Sequence, residues 1–283
     1  MECVLENITL HYETYGEGRP IIILPGWSMN TRVTAHQIEP SFQGRAGWQR
    51  IYIDPPGHGK TPGKDWITNQ DKMLEILLAC IDHLTAGQNY CLIGISLGAY
   101  LARGVLRNRT KFVDGIAMLV PVVFAEDEKR SVPPYQVLVE ESLSDAELTT
   151  EEAEFLGMSV LHTHKWLTEL RGYPQIPDHE NGDAGFLSRI RENHKDYAFS
   201  FDVDDLPEPF HRPALIVAGR QDYVVGYRDF WSLLENYPRA SYVVLDRTGH
   251  FMEETAAIVQ VLMNEWLDRV EEDAENRSEH KKT

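Results

Sequence analysis

Three cysteines in 283 residues leave little material for a disulfide framework. Cys3, Cys80 and Cys91 form no C-x-x-C pair and cannot all be paired within one chain, so reduced structural thiols in a reducing compartment are expected. Positive charge is scarce too: 27 Lys and Arg stand against 44 Asp and Glu, a formal charge of −17. Nucleic acids and anionic membranes are polyanions, so neither is expected as a partner. Long hydrophobic runs are missing. The longest, Gly115 to Ala125, is too short to span a bilayer and contains Pro121. The opening "MECVLENITL" has glutamates where a signal peptide needs a basic start and an apolar stretch, and a cytoplasmic protein is expected. No G-x-G-x-x-G or Walker-type loop points to a nucleotide cofactor. What is present is 42% hydrophobic and long enough to bury a full core, which suits one large α/β domain carrying an inserted subdomain.

Strand-like and helix-like segments alternate through the first 121 residues. Strands are predicted at Ile8 to Tyr15, Ile21 to Leu24, Arg50 to Ile53, Tyr90 to Ile93 and Gly115 to Val120, with a helix from about Asn69 to Leu84. Such alternation builds a mainly parallel sheet covered by helices on both faces. From 122 to 209 buried-strand runs cease and helix signals take over: a capping box at Ser144 and Glu147, and an amphipathic stretch after Asp183 that ends near His194. This block is expected to be a mostly helical lid, with 1–121 and 210–270 forming the core. Strands return at 213–219 and 241–246, a helix is expected from about Glu253 to Arg269, and the charged residues 271–283 read as a frayed tail.

One stretch, "YCLIGISLGAY" at 90–100, carries chemistry. A uniform apolar strand stops at Gly94, presents the hydroxyl of Ser96, and passes Gly98 before a helical pattern begins. This is G-x-S-x-G, a strand-to-helix turn too tight for side chains at its flanks, which pushes the central residue outward. The two returning strands deliver Asp222 and His250 just beyond their ends. Catalytic groups of open α/β sheets collect at the carboxyl ends of strands, so Ser96, Asp222 and His250 can meet despite their separation in sequence. A serine hydroxyl needs an imidazole to take its proton, and the imidazole needs a carboxylate to fix its tautomer.

The elbow "GISLG", the chain order Ser, Asp, His, the segments "GRQD" and "TGH", and the loop "DPPGHG" together resemble the α/β-hydrolases, and the resemblance covers nearly the whole chain outside the lid and tail. It implies that Ser96 is the nucleophile, His250 the general base and then acid, and Asp222 its orienting partner. Some members take the acid from the strand before the lid, where this chain has Glu126 and Asp127, but the "GRQD" match favours Asp222. The resemblance also implies an oxyanion hole made by the backbone N–H groups of Leu97 and Trp27, with Pro25 standing where the family usually has histidine. A serine at the elbow favours acyl transfer over the alkyl transfer of aspartate-bearing members.

The substrate is less legible. Phe124, Trp166 and Tyr223, with Trp27, are expected to line a pocket over Ser96, although lid aromatics would equally pack on one another. An uncharged, partly apolar small molecule is expected. His58 reads as structural, and His162, His164, His179 and His194 fall in the lid without the carboxylate or cysteine set that a metal site needs, so no metal is expected. The chain reads as a cofactor-independent serine hydrolase, carboxylesterase-like, with amide, lactone, thioester or carbon-carbon bond cleavage as alternatives. A binding protein of the same fold, like the hydrolase-like small-molecule receptors of plants, stands as the reading from another class. Oligomeric state is not legible.

Overall fold

Short isoleucine, leucine and valine runs with no polar face, bounded by turn residues, suit strands buried on both sides. The computed structural model describes residues 1–144, 146–174 and 182–280. Its strands are β1 (Glu2–Val4), β2 (Thr9–Tyr15), β3 (Arg19–Leu24), β4 (Trp48–Ile53), β5 (Tyr90–Ile95), β6 (Val113–Leu119), β7 (Val139–Glu140), β8 (Leu161–His162), β9 (Ala214–Gly219) and β10 (Ala240–Leu245). All but β7 and β8 join one sheet of eight strands, ordered β1-β2-β4-β3-β5-β6-β9-β10. Within it β1 pairs antiparallel with β2, and β2 with β4; from β4 onward every further neighbour is parallel.

The helices are α1 (Thr31–Ile38), α2 (Gln70–Thr85), α3 (Leu97–Arg109), α4 (Thr150–Met158), α5 (His164–Arg171), α6 (Ala184–Glu192), α7 (His194–Tyr197) and α8 (Ala256–His280). Leu74 and Leu77 of α2 and Leu101 and Val105 of α3 pack on one sheet face. Ala35 and Ile38 of α1 and Met263, Trp266 and Leu267 of α8 cover the other. The chain leaves β3 outward to β4 and then returns across it to β5, so the strand order reverses between β3 and β5. Ligand sites of open α/β sheets lie outside the carboxyl ends of the strands at such a reversal.

Between β6 and β9 the chain makes the small β7–β8 sheet and helices α4 to α7, with a core of its own around Leu156, Trp166 and Leu167. Two sequence expectations are corrected here. The capping box forms at Thr149 and Glu152 and opens α4, whereas the Ser144 hydroxyl faces that of Ser142. Both pairs fit the motif, but Arg171 reaches back to hold Glu152. The charged tail is also not frayed through its described part. Helix α8 continues to residue 280, because Glu271 accepts from the indole N–H of buried Trp48 and from Arg45, Asp273 meets Arg212 and Arg277, and Arg277 reaches Asp114. Residues 281–283 of that tail, and His179 of the lid, lie outside the described residues. No helix among the described residues is long and apolar enough to cross a membrane.

Candidate active site

Strand β5 ends and α3 begins with no loop between them, and the price of that abruptness falls on one residue. Ser96 sits at φ 53° and ψ −113°, a conformation that costs a side-chain-bearing residue about 1–3 kcal/mol. The flanking glycines make the turn possible. A Cβ on Gly94 would lie 2.4 Å from the carbonyl oxygen of Gly98, and one on Gly98 would lie 2.2 Å from that of Leu24. The end of β6 braces the turn: Ser96 N–H donates to the Leu119 carbonyl at 2.9 Å, and Val122 N–H donates to the Ser96 carbonyl at 3.3 Å.

The loops after β9 and β10 bring the partners. His250 Nε2 lies 2.9 Å from Ser96 Oγ, and its Nδ1 lies 2.9 Å from Oδ2 of Asp222. Asp222 is wholly buried, and its other oxygen accepts the N–H groups of Val224 and Val225, each at 2.9 Å. With Nδ1–H donated to Asp222, the ring presents a lone pair on Nε2 to the serine hydroxyl, the arrangement that nucleophilic catalysis by serine requires. Asp127 stands elsewhere, paired with Arg130 and Arg191, and Glu126 pairs with Lys129.

A buried carboxylate that sequence reasoning passed over holds the histidine loop. Glu253 accepts from Gly249 N–H at 2.7 Å and from Val160 N–H, at the edge of β8, at 3.0 Å. Burial pushes its carboxyl above the ordinary 4.5, against the downward pull of those backbone donors. Its signal was a second acid three residues past His250, indistinguishable in sequence from a surface glutamate.

On the opposite side of Ser96 runs the loop after β3. A Cβ on Gly26 would lie 3.6 Å from that of Ser96, so this backbone passes directly beside the serine. Asp54, also fully buried, braces the loop by accepting from Thr31 N–H at 2.8 Å, from Lys60 N–H at 3.1 Å, and by bonding His11 Nδ1 at 2.9 Å. His58 is buried behind the Trp27 ring, and burial depresses its pKa. Leu97 opens α3, so its N–H is one of the donors a helix cannot satisfy internally.

Above Ser96 lies a pocket of about 600 Å³. Trp27 and Tyr223 line it, as expected; Phe124 and Trp166 do not. Phe124 faces a separate cleft with Phe199 and Phe201, and Trp166 is buried in the insertion's own core with its indole N–H on Ser159 Oγ at 2.9 Å. Phe155, Tyr173, Tyr197, Arg130 and Arg191 take their places. The three cysteines are buried and unpaired, and burial pushes their thiols up, which leaves Ser96 without a thiol competitor. Among the described residues no three His, Cys, Asp or Glu side chains come together as a metal site.

Residues 21–261 match the profile of the Alpha/beta hydrolase family. The chain is 24% identical over 273 residues to a pimeloyl-[acyl-carrier protein] methyl ester esterase of Aeromonas hydrophila, an alignment covering 90% of this chain and 98% of that protein. Among solved structures, an alpha/beta superfamily hydrolase from Oenococcus oeni superimposes with a TM-score of 0.84 at 27% identity, covering 96% of this chain and 99% of the other. Est1E of Butyrivibrio proteoclasticus, solved with ferulic acid bound, superimposes at 0.64 and 16% identity over 95% and 99% of the two chains, a likeness of fold.

Proposed function

The chain belongs to the alpha/beta hydrolase family, and on that premise we propose that it is a cofactor-independent serine hydrolase acting on a small or medium carboxylic ester. The observation that carries this reading is the unbroken relay from Ser96 through His250 to Asp222, 2.9 Å at each step, at the floor of a largely apolar pocket. The named methyl ester esterase among its relatives favours an ester over an amide or thioester.

In this reading Ser96 Oγ attacks the ester carbonyl while His250 Nε2 takes its proton, and Asp222 stabilises the imidazolium that results. The carbonyl oxygen becomes an oxyanion as the tetrahedral intermediate forms. The N–H groups of Leu97 and Trp27 receive that charge, a contribution of roughly 3 kcal/mol for each donor. His250 then returns the proton to the departing alcohol, leaving an acyl group on Ser96. A water, deprotonated by the same nitrogen, attacks the acyl carbon and releases the acid and free enzyme.

The test needs no knowledge of the substrate. Treat the protein, and its Ser96→Ala and His250→Ala variants, with a fluorophosphonate that phosphonylates activated serines, and locate the adduct by intact mass and peptide mapping. A single adduct on Ser96, lost in both variants, followed by multiple turnovers of short-chain esters, is expected. No adduct on folded protein would sink the hydrolase reading, and an adduct with a single turnover and a retained ligand would point to a receptor.

A further inference from the structure

Acidic residues outnumber basic ones by 44 to 27, yet the pocket over Ser96 reverses the balance. Among the described residues its lining includes two arginines, Arg130 and Arg191, and no aspartate or glutamate. The two are not equivalent. Arg130 is consumed by structure: its three nitrogens donate to the carbonyls of Phe124, Val224 and Ala125 at 2.9, 3.1 and 3.1 Å, and Nη1 also meets Asp127 at 2.7 Å. Arg191 uses only Nη2, which reaches the two oxygens of Asp127 at 2.7 and 2.6 Å. Among the described residues its Nε and Nη1 meet no acceptor, and the side chain remains 30% exposed. One carboxylate therefore serves two guanidiniums, and the three groups together keep a net positive charge beside the pocket. The adjacent acids are engaged elsewhere, Glu126 with Lys129 and Glu128 with His194.

The position of Arg191 is fixed relative to the nucleophile. Its guanidinium lies over the Tyr197 ring, 4.5 Å from the centroid, and Tyr197 meets the Trp27 ring edge-on at 5.5 Å. Trp27 belongs to the loop beside Ser96, so two aromatic contacts separate the reacting end of the pocket from its charged end. With Nη2 committed to Asp127, the remaining N–H groups on Nε and Nη1 point apart, and each can offer a carboxylate one charge-assisted hydrogen bond.

Resting on the esterase reading of the same pocket, we propose that the substrate is an ester bearing a second, ionised carboxyl group, held by an unused N–H of Arg191 while its apolar chain runs along Tyr197 and Trp27. This replaces the uncharged substrate expected from the apolar side chains of the segment over Ser96. A pocket of about 600 Å³ accommodates monoesters of medium-chain dicarboxylic acids.

The test compares monomethyl adipate and monomethyl suberate with the corresponding dimethyl esters in the wild type, Arg191→Gln and Arg191→Lys, with thermal melts confirming that each is folded. The wild type is expected to favour the half-acid by about tenfold or more in kcat/KM, carried by KM and eroded by salt, the scale of a charge-assisted hydrogen bond. R191Q brings the ratio close to one, and R191K keeps part of it. A wild-type ratio near one, or one unchanged in R191Q, overturns the proposal. If neither ester is turned over, the esterase reading fails by itself and calorimetric binding of suberate decides the site. Binding by the wild type that weakens in R191Q retains the anion site, and no binding by the wild type removes it.

Discussion

Replacing Asp222 by asparagine changes one atom, and the surroundings dictate which way the amide points. Oδ1 of Asp222 accepts two backbone N–H groups, from Val224 and Val225, in a fully buried setting. Placing the amide NH2 there would leave two buried donors facing a third, at about 1–3 kcal/mol for each unsatisfied group. The amide oxygen therefore stays, and the NH2 takes the position of Oδ2, 2.9 Å from His250 Nδ1. That nitrogen must now accept, so the ring proton moves to Nε2, which lies 2.9 Å from Ser96 Oγ and can no longer take the serine proton. A wrong tautomer of this kind lowers kcat by about 10⁴, or roughly 5 kcal/mol of barrier. The assay is kcat on a neutral ester, with the rate of fluorophosphonate labelling measured in parallel and Asp127→Asn as the control. Among the described residues Asp127 pairs only with Arg130 and Arg191, so D127N is expected to stay within about threefold of wild type on that ester. Retention of a tenth of the wild-type kcat by D222N, or a larger loss in D127N, would refute the assignment.

Two further outcomes follow from buried polar groups outside the relay. Glu253→Gln leaves one oxygen for the two N–H groups of Gly249 and Val160, and is expected to lose about 1–3 kcal/mol of stability in urea unfolding. Because burial raises the Glu253 carboxyl above 4.5, the native state keeps a proton that the unfolded chain releases, so its contribution is largest below pH 4.5 and declines as pH rises through the raised value. The deficit of E253Q should therefore shrink with rising pH, and a deficit that grows would contradict the direction of the shift. Truncation after Val270 strips the buried Trp48 indole of its acceptor Glu271 and Asp114 of Arg277, an expected loss of about 2–4 kcal/mol. The melting temperature should fall by about 5 °C or more; an unchanged value would mean that the charged end is the loose tail its composition resembles.

The strands, the elbow and the relay were legible because each is written locally: an apolar run, a glycine on either side of a serine, an acid or histidine just past a strand end. What was not legible depends on contacts far apart in sequence. Thr149 and Glu152 win the capping box over Ser144 and Glu147 through Arg171. The charges of 271–280 form a helix because Trp48 and Asp114 on the sheet, and Arg45 in the loop before β4, meet them. Trp166 and Phe155 are both aromatics of the segment between β6 and β9, and only packing decides that the first fills that segment's core while the second also faces the pocket. Arg191 is the same problem in charge: on an amphipathic helix in an acidic chain, nothing local separates a solvated arginine from one that faces a pocket.

The relay also raises a problem of tolerance that strands alone do not solve. Histidine and acid ride on loops past the carboxyl ends of β10 and β9, and loops have little apolar surface to fix them, whereas a reacting constellation must hold its geometry to within about 0.5 Å. Here buried carboxylates do what a core does elsewhere. Asp54 gathers Thr31, Lys60 and His11 behind the Trp27 loop; Asp222 gathers Val224, Val225 and the histidine ring; Glu253 gathers Gly249 and Val160. Each satisfies backbone donors that burial would otherwise leave unpaired, so displacing any one loop costs several hydrogen bonds at once. The position of Ser96 is thus set on one side by glycine packing and on the others by three acids. In an acidic chain, it is these few buried carboxylates, more than the surface ones, that give negative charge a structural role at the site.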